Sequence, residues 1–223
     1  MRLPFTVDQF LDVFRRYNTA VWPAQWALLA IALVIAALVY RDRPKDHRWV
    51  HGLLAVLWLW MAFAYHLAFF ASVNRAAVAF AATFAVQGAL FAWYAFHAPA
   101  EPARTHSGAA GHLGVVLVAY ALFVYPALGY MFGHRYPASP TFGAPCPTTI
   151  FTLGIIVWWG RSIPLALLIV PLAWSMIGAS AATGLGMIED YGLPVAAIAT
   201  VVSLLIARRA PRVTSARPMS AAR

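Results

Sequence analysis

Val50-HGLLAVLWLWMAFAYHLAFFASV-Asn74 contains no lysine, arginine, aspartate or glutamate. At about 1.5 Å per residue a helix of this length more than covers the roughly 30 Å hydrocarbon core of a bilayer. Ala76 to Pro99 repeats the pattern directly after Arg75. The whole chain is 62% hydrophobic and 10% charged, where a soluble domain carries about a quarter charged residues. Lipid is therefore the solvent to which most of this polypeptide is matched, and the sequence reads as an all-α, polytopic transmembrane helix bundle.

Moving toward the N-terminus, the charged loop Arg41-Asp-Arg-Pro-Lys-Asp-His-Arg48 closes an earlier apolar segment, Val21 to Tyr40. Before it, Thr6-Val-Asp-Gln9 has the spacing of a capping box, in which side chains at both positions satisfy free backbone donors of a helix start. Val7, Phe10, Leu11, Phe14 and Tyr17 recur at helical spacing, so a short amphipathic helix is expected in the membrane interface. Asp8 and Asp12 and the lack of a positive region before an apolar core argue against a cleavable signal peptide.

Toward the C-terminus, a loop with Arg104, His106 and His112 precedes a fourth span, Leu113 to Phe132. Gly133 to Pro147 reads as an ordered, turn-rich loop. Thr148 to Gly160 and Ile163 to Ala179, separated by Arg161, read as two short spans, or as spans one of which is broken. A final span, Tyr191 to Ala207, ends in Arg208-Arg209. The expected organisation is an interfacial helix over 1–20, a bundle of about seven spans over 21–207, and a basic, disordered cytoplasmic tail over 208–223.

The net charge of +9 is placed for membrane orientation and not for nucleic acid, because the cations flank apolar segments instead of forming a stripe with aromatics. With the N-terminus outside, the inner side carries Arg41, Arg43, Lys45, Arg48, Arg104, Arg161, Arg208, Arg209, Arg212, Arg217 and Arg223. The outer side carries Arg2, Arg15, Arg16, Arg75 and Arg135. Inner loops richer in cations predict N-outside, C-inside. Ala77, Ala81, Ala85 and Ala89, and likewise Gly178, Ala182 and Gly186, offer small-residue faces for close approach to a neighbouring span, a membrane partner or a second copy.

Several residues could carry chemistry. His66 lies inside the second span, where an ionisable group is costly unless it is used or hydrogen-bonded. Gln87 sits at mid-depth and bridges helices in its plainest reading. Cys146, held between Pro145 and Pro147 at a helix start, has the backbone donors that favour a thiolate; otherwise it is a small hydrophobe in a rigid turn. Glu189 and Asp190 open the last helix, either capping it or serving as a cation or acid/base site. His66, Asn74, His134, Cys146, Glu189 and Asp190 fall on one predicted side, so together they form the candidate ligand-binding set, with a transition metal among the ligands they could take. His47 and His51, with His97, His106 and His112, read as solvated interfacial histidines, and Trp22, Trp49, Trp93 and Trp174 as interface anchors. One cysteine excludes an internal disulfide. There is no phosphate-binding glycine loop and no Gly-x-Ser-x-Gly, and the single lysine, Lys45, is in a loop, so no cofactor is indicated.

Phe5-Thr-Val-Asp-Gln-Phe10, Tyr17-Asn18, Val21-Trp-Pro-Ala-Gln25, Tyr65-His66 with Phe69-Phe70 and Asn74, and Pro145-Cys-Pro-Thr-Thr-Ile-Phe151 together resemble a bacterial membrane protein family known as domain of unknown function 6064. The resemblance covers nearly the whole chain. It implies a small multi-span protein of the inner membrane and supplies no activity. Three functions fit: binding or transport of a small molecule or metal near the outer face, with Pro164 and Pro171 lining the cavity; an accessory subunit of a membrane complex; or an embedded enzyme using Cys146 or Glu189 and Asp190.

Overall fold

In the computed structural model, which describes residues 4–97, 108–160 and 164–209, the helices are α1 (Val7–Ala20), α2 (Ala24–Arg41), α3 (Asp46–Trp60), α4 (Ala77–His97), α5 (Ala109–Ala119), α6 (Tyr125–Met131), α7 (Pro145–Trp159), α8 (Ala166–Leu185) and α9 (Gly192–Arg209). No β-strand occurs among the described residues. The expected loop with Arg104 and His106, the Arg161 turn, and the tail beyond Arg209 lie outside them.

Six segments are long and apolar enough to cross a membrane: Ala24–Arg41, Asp46–Ser72, Ala77–His97, Ala109–Met131, Ala166–Leu185 and Ile188–Ile206. A seventh apolar helix, α7, has 15 residues. From Pro147 to Val157 every residue of α7 is buried, so it runs through the middle of the bundle with protein on all sides. That placement explains why α7 is apolar all round; of its three threonines, Thr148 and Thr152 are hydrogen-bonded and Thr149 Oγ1 is not. Thr152 donates to the Thr148 carbonyl at 2.8 Å and accepts the Trp58 indole N–H at 3.2 Å.

Two spans change pitch part-way. After Trp60, Met61–Leu67 is a π-helix, whose wider turn keeps Met61, Ala62, Tyr65 and His66 all buried. Tyr120–Val124 is a second π-helix, between α5 and α6. Its cause is Pro126, which lacks an N–H and would press its ring on a carbonyl of the preceding turn; a widened turn accommodates both defects.

Glycine sets the closest approaches. A Cβ on Gly114 would come 2.3 Å from the Trp158 backbone nitrogen, and one on Gly154 would come 2.9 Å from that of Val118, so α5 and α7 meet backbone to backbone. The alanine face of α4 departs from expectation. Ala77 and Ala81 are buried, Ala85 partly so, and Ala89 exposed, because a repeat of four residues in a helix of 3.6 per turn drifts by about 40° per step. The close contact of α4 is Gly88 against Leu59. Of the other small-residue series, Gly178 packs on Leu193, Ala182 is fully buried, and Gly186 ends α8 in the left-handed conformation at φ 71°.

The capping box of α1 forms as expected: Gln9 N–H donates to Thr6 Oγ1 at 3.2 Å, and Thr6 N–H to Gln9 Oε1 at 2.9 Å. Phe10, Phe14 and Tyr17 pack against Tyr65, Phe69 and Phe70, so the apolar face of α1 is covered by protein, with Val13 and Asn18 also buried on it. Asp12 pairs with Arg15 and Arg16 on the exposed side of α1, and the Arg15 hydrogen bond holds its carboxyl below the usual range. Burial pushes the Tyr17 phenol up to about 12, partly offset by the hydrogen bond from Trp60. The phenol is therefore neutral throughout the physiological range.

Two side chains expected at the water interface are elsewhere. Trp174 is 8% exposed and lies against His66 and Phe84. His51 is also buried, ringed by Phe91, Tyr94 and Trp159, and its Nδ1 meets the His47 carbonyl at 2.8 Å. His47 Nδ1 in turn meets the Pro44 carbonyl at 2.7 Å. Trp22, Trp49 and Trp93 are exposed.

Gly114→Ala should destabilise the bundle by about 1–3 kcal/mol through overpacking. Gly52→Ala, whose new Cβ would meet nothing within 4 Å, should be neutral or gain up to about 1 kcal/mol from removing a helix glycine. Thermal melting of the two variants in detergent checks the contrast; equal melting temperatures would mean that the α5–α7 contact is not close.

Candidate functional site

The loop between α6 and α7 is held at both ends. Gly133 and Gly143 adopt φ of 94° and 97°, a left-handed conformation that glycine takes without strain. Gly143 N–H donates to Thr148 Oγ1 at 3.0 Å, which ties the far end to the start of α7. The middle is gripped by one residue of α1. Asn18, fully buried, donates through Nδ2 to the carbonyls of Pro137 and Ser139, both at 2.7 Å. Its Oδ1 accepts from Thr141 Oγ1 at 2.7 Å, and its backbone carbonyl accepts from Gln25 Nε2 at 2.8 Å.

Beneath this loop the start of α2, the end of α6 and the turn before α9 enclose a groove of about 560 Å³. Trp22, Trp26, Tyr130 and Tyr136 form aromatic walls, Leu122, Pro126 and Phe142 add apolar surface, and Tyr125, His134 and Glu189 bring polar groups into it. The volume lies within the span usual for small-molecule sites, about 300–1,000 Å³.

Glu189 and Asp190 sit in a 3₁₀ turn, Ile188–Tyr191, that leads into α9. Both are buried, at 0% and 2% exposure, which a simple helix cap facing water would not be. The His134 Nδ1–H donates to Glu189 Oε1 at 2.8 Å, while Glu189 Oε2 is buried without a partner. Tyr120 donates its hydroxyl to the Glu189 backbone carbonyl at 2.7 Å. Tyr125 donates to Asp190 Oδ1 at 2.5 Å. Gly129 leaves room for the carboxylate: a Cβ there would lie 3.2 Å from Glu189 Oε1 and 3.8 Å from His134 Cβ.

Of the six residues expected to share a site, His134 and Glu189 meet directly, and Asp190 follows in the same turn. Cys146 lies beside the Asp190 carboxylate and the Trp174 indole. These are not the cationic surroundings that activate a nucleophilic thiol, although Cys146 does occupy the first turn of α7 as expected. His66 is set apart, fully buried, with Phe70, Phe80, Phe84 and Trp174 around its ring and neither ring nitrogen hydrogen-bonded. Asn74 joins nothing; its Oδ1 accepts from Ala76 N–H at 3.0 Å and caps the chain into α4.

The transition-metal reading is not carried forward: among the described residues no three His, Cys, Asp or Glu side chains come together to hold an ion. Prolines do line the groove, but they are Pro126 and Pro140 and not Pro164 or Pro171. Gln87 bridges helices as expected, donating to the Leu167 carbonyl at 3.0 Å. The sequence reading missed Asn18, Tyr125 and Gly129. A buried asparagine on the aromatic face of α1 and a Tyr-Pro pair inside a span were the available signals.

A model for a family described as of unknown function (DUF6064) matches residues 7–215. No curated protein and no solved structure matches the chain.

Asn18→Asp keeps the shape of the side chain but turns a donor facing two carbonyls into an acceptor. It should cost about 1–3 kcal/mol and expose the loop, so that trypsin cuts after Arg135 faster than in the parent. An unchanged cleavage rate and melting temperature would show that Asn18 does not anchor this loop.

Proposed function

We propose that this chain, which belongs to the family of unknown function DUF6064, is a membrane protein that binds a small amphipathic molecule in the groove beneath the loop from Gly133 to Ala144. The observation that carries this reading is Glu189: a fully buried carboxylate at the groove, paired on one oxygen by His134 and unpartnered on the other. Leaving a buried acceptor unsatisfied costs about 1–3 kcal/mol, and a ligand that brings a donor offsets that cost. The aromatic and aliphatic walls suit an apolar body.

Binding is favoured over covalent catalysis because Cys146, the one candidate nucleophilic thiol, is not among the residues lining the groove. The flanking cations support an orientation with the N-terminus outside and the C-terminus cytoplasmic in the inner membrane of a bacterium. In that orientation the groove opens at the outer face, together with α1, the turn at Asn74 and the start of α9.

Native mass spectrometry of protein released from membranes should show a bound small-molecule adduct. Gly129→Leu, which puts a side chain against Glu189 and His134, should remove it, and Gly52→Ala should keep it. A parent protein free of any adduct, or an adduct retained in Gly129→Leu, would take the site away from the groove.

A further inference from the structure

The groove brings together a carboxylate, a set of aromatic faces and a hydrocarbon wall. We infer that its ligand is an organic monocation, a protonated amine or quaternary ammonium carried on an apolar body. This inference rests on the binding role proposed above and names the chemical class.

Charge is the first argument. Glu189 and Asp190 are adjacent and buried. Their side-chain hydrogen-bond donors are one imidazole, His134 to Glu189, and a phenol and a thiol, Tyr125 and Cys146 to Asp190. Among the described residues lining the groove there is no lysine or arginine. Of these two adjacent carboxylates only Glu189 has an ionisable base paired with it, His134, and a carboxylate has about four acceptor sites to fill. Glu189 Oε2 fills none of its own. A ligand cation supplies the charge, and a protonated amine also supplies donors.

Aromatic geometry is the second. An ammonium or guanidinium within about 6 Å of an aromatic centroid is attracted by the ring quadrupole, and quaternary ammonium ligands are recognised by such walls. In this structure the Arg135 guanidinium, which is not among the groove-lining residues, lies 4.9 Å from the centroid of the Tyr130 ring, so that ring does draw a cation to one of its faces. Trp22 meets Tyr136 edge to face, with centroids 6.5 Å apart, and Trp26 adds a second indole to the groove. A neutral ligand would use the Leu122 and Pro126 surface equally well but would leave Oε2 unpaired unless it brought a donor.

The test is calorimetric titration of the full-length protein in uncharged maltoside micelles with hexyltrimethylammonium, hexylamine, 1-octanol and hexyl sulfate. The two cations should bind saturably, at least tenfold more tightly than 1-octanol, with no saturable heat from the sulfate. Glu189→Gln should weaken the cations tenfold or more and leave 1-octanol unchanged. Should Glu189→Gln fail to fold, Trp26→Leu at an exposed groove position should weaken the cations at least threefold and spare the alcohol. Alcohol binding as tight as the cations, lost in Gly129→Leu, would overturn the cation assignment and leave the groove as a ligand site. Preferential binding of the sulfate, or no saturable heat from any probe, would also overturn it. In the last case, an adduct that survives Gly129→Leu would remove the binding role as well.

Discussion

Lipid offers no hydrogen bonds, so every polar atom at membrane depth must be satisfied by protein. The chain meets this constraint by placing α7, an apolar helix of 15 residues, so that its stretch from Pro147 to Val157 is enclosed by protein. Thr152 of α7 bonds to the Thr148 carbonyl and to Trp58, Thr148 accepts from the Gly143 N–H, Thr149 keeps an unpartnered hydroxyl, and the helix backbone lies against α5 at Gly114 and Gly154. The longer helices pack around it, and their outward faces carry the exposed aliphatic and aromatic residues suited to lipid, such as Val34, Phe63, Val86 and Ile169.

The same constraint makes the exceptions informative. His66, Gln87, Thr149 and Glu189 retain unpartnered polar atoms in fully buried positions, and the surroundings of the two ionisable ones, His66 and Glu189, differ. His66 is closed in by aromatic rings on several sides, whereas Glu189 borders open volume with a histidine, a tyrosine and tryptophans. Glu189 lines a groove that a partner can enter from outside, whereas His66 is sealed among rings. The groove, and not His66, is for this reason the better candidate site.

Much of the fold was legible because it follows from averages along the chain. The charge-free runs after Val50 and Ala76, the capping box at Thr6 and the glycine-rich loop after Phe132 all fall where expected, because each depends on residues close in sequence. The site was legible only in part. His134, Cys146, Glu189 and Asp190 were singled out by residue type and side of the membrane, and those four do gather. Asn74 was wrongly grouped with them because the side of a membrane is too coarse to give a distance. His51 and Trp174 were misread as interfacial, since a histidine or tryptophan near the end of a span has the same local sequence whether it faces water or a neighbouring helix. Asn18 escaped notice because its partners lie more than a hundred residues further along the chain.

The grip of Asn18 on the loop above the groove means that two parts of the chain share one free energy. The first helix is docked through a small aromatic cluster and presents a charged back to its surroundings, while the roof of the groove is fastened to that same helix by three side-chain hydrogen bonds. Work done to peel the helix away is then also work done to unfasten the roof. By thermodynamic reciprocity, an occupant that steadies the roof must strengthen the docking of the helix by an equal amount.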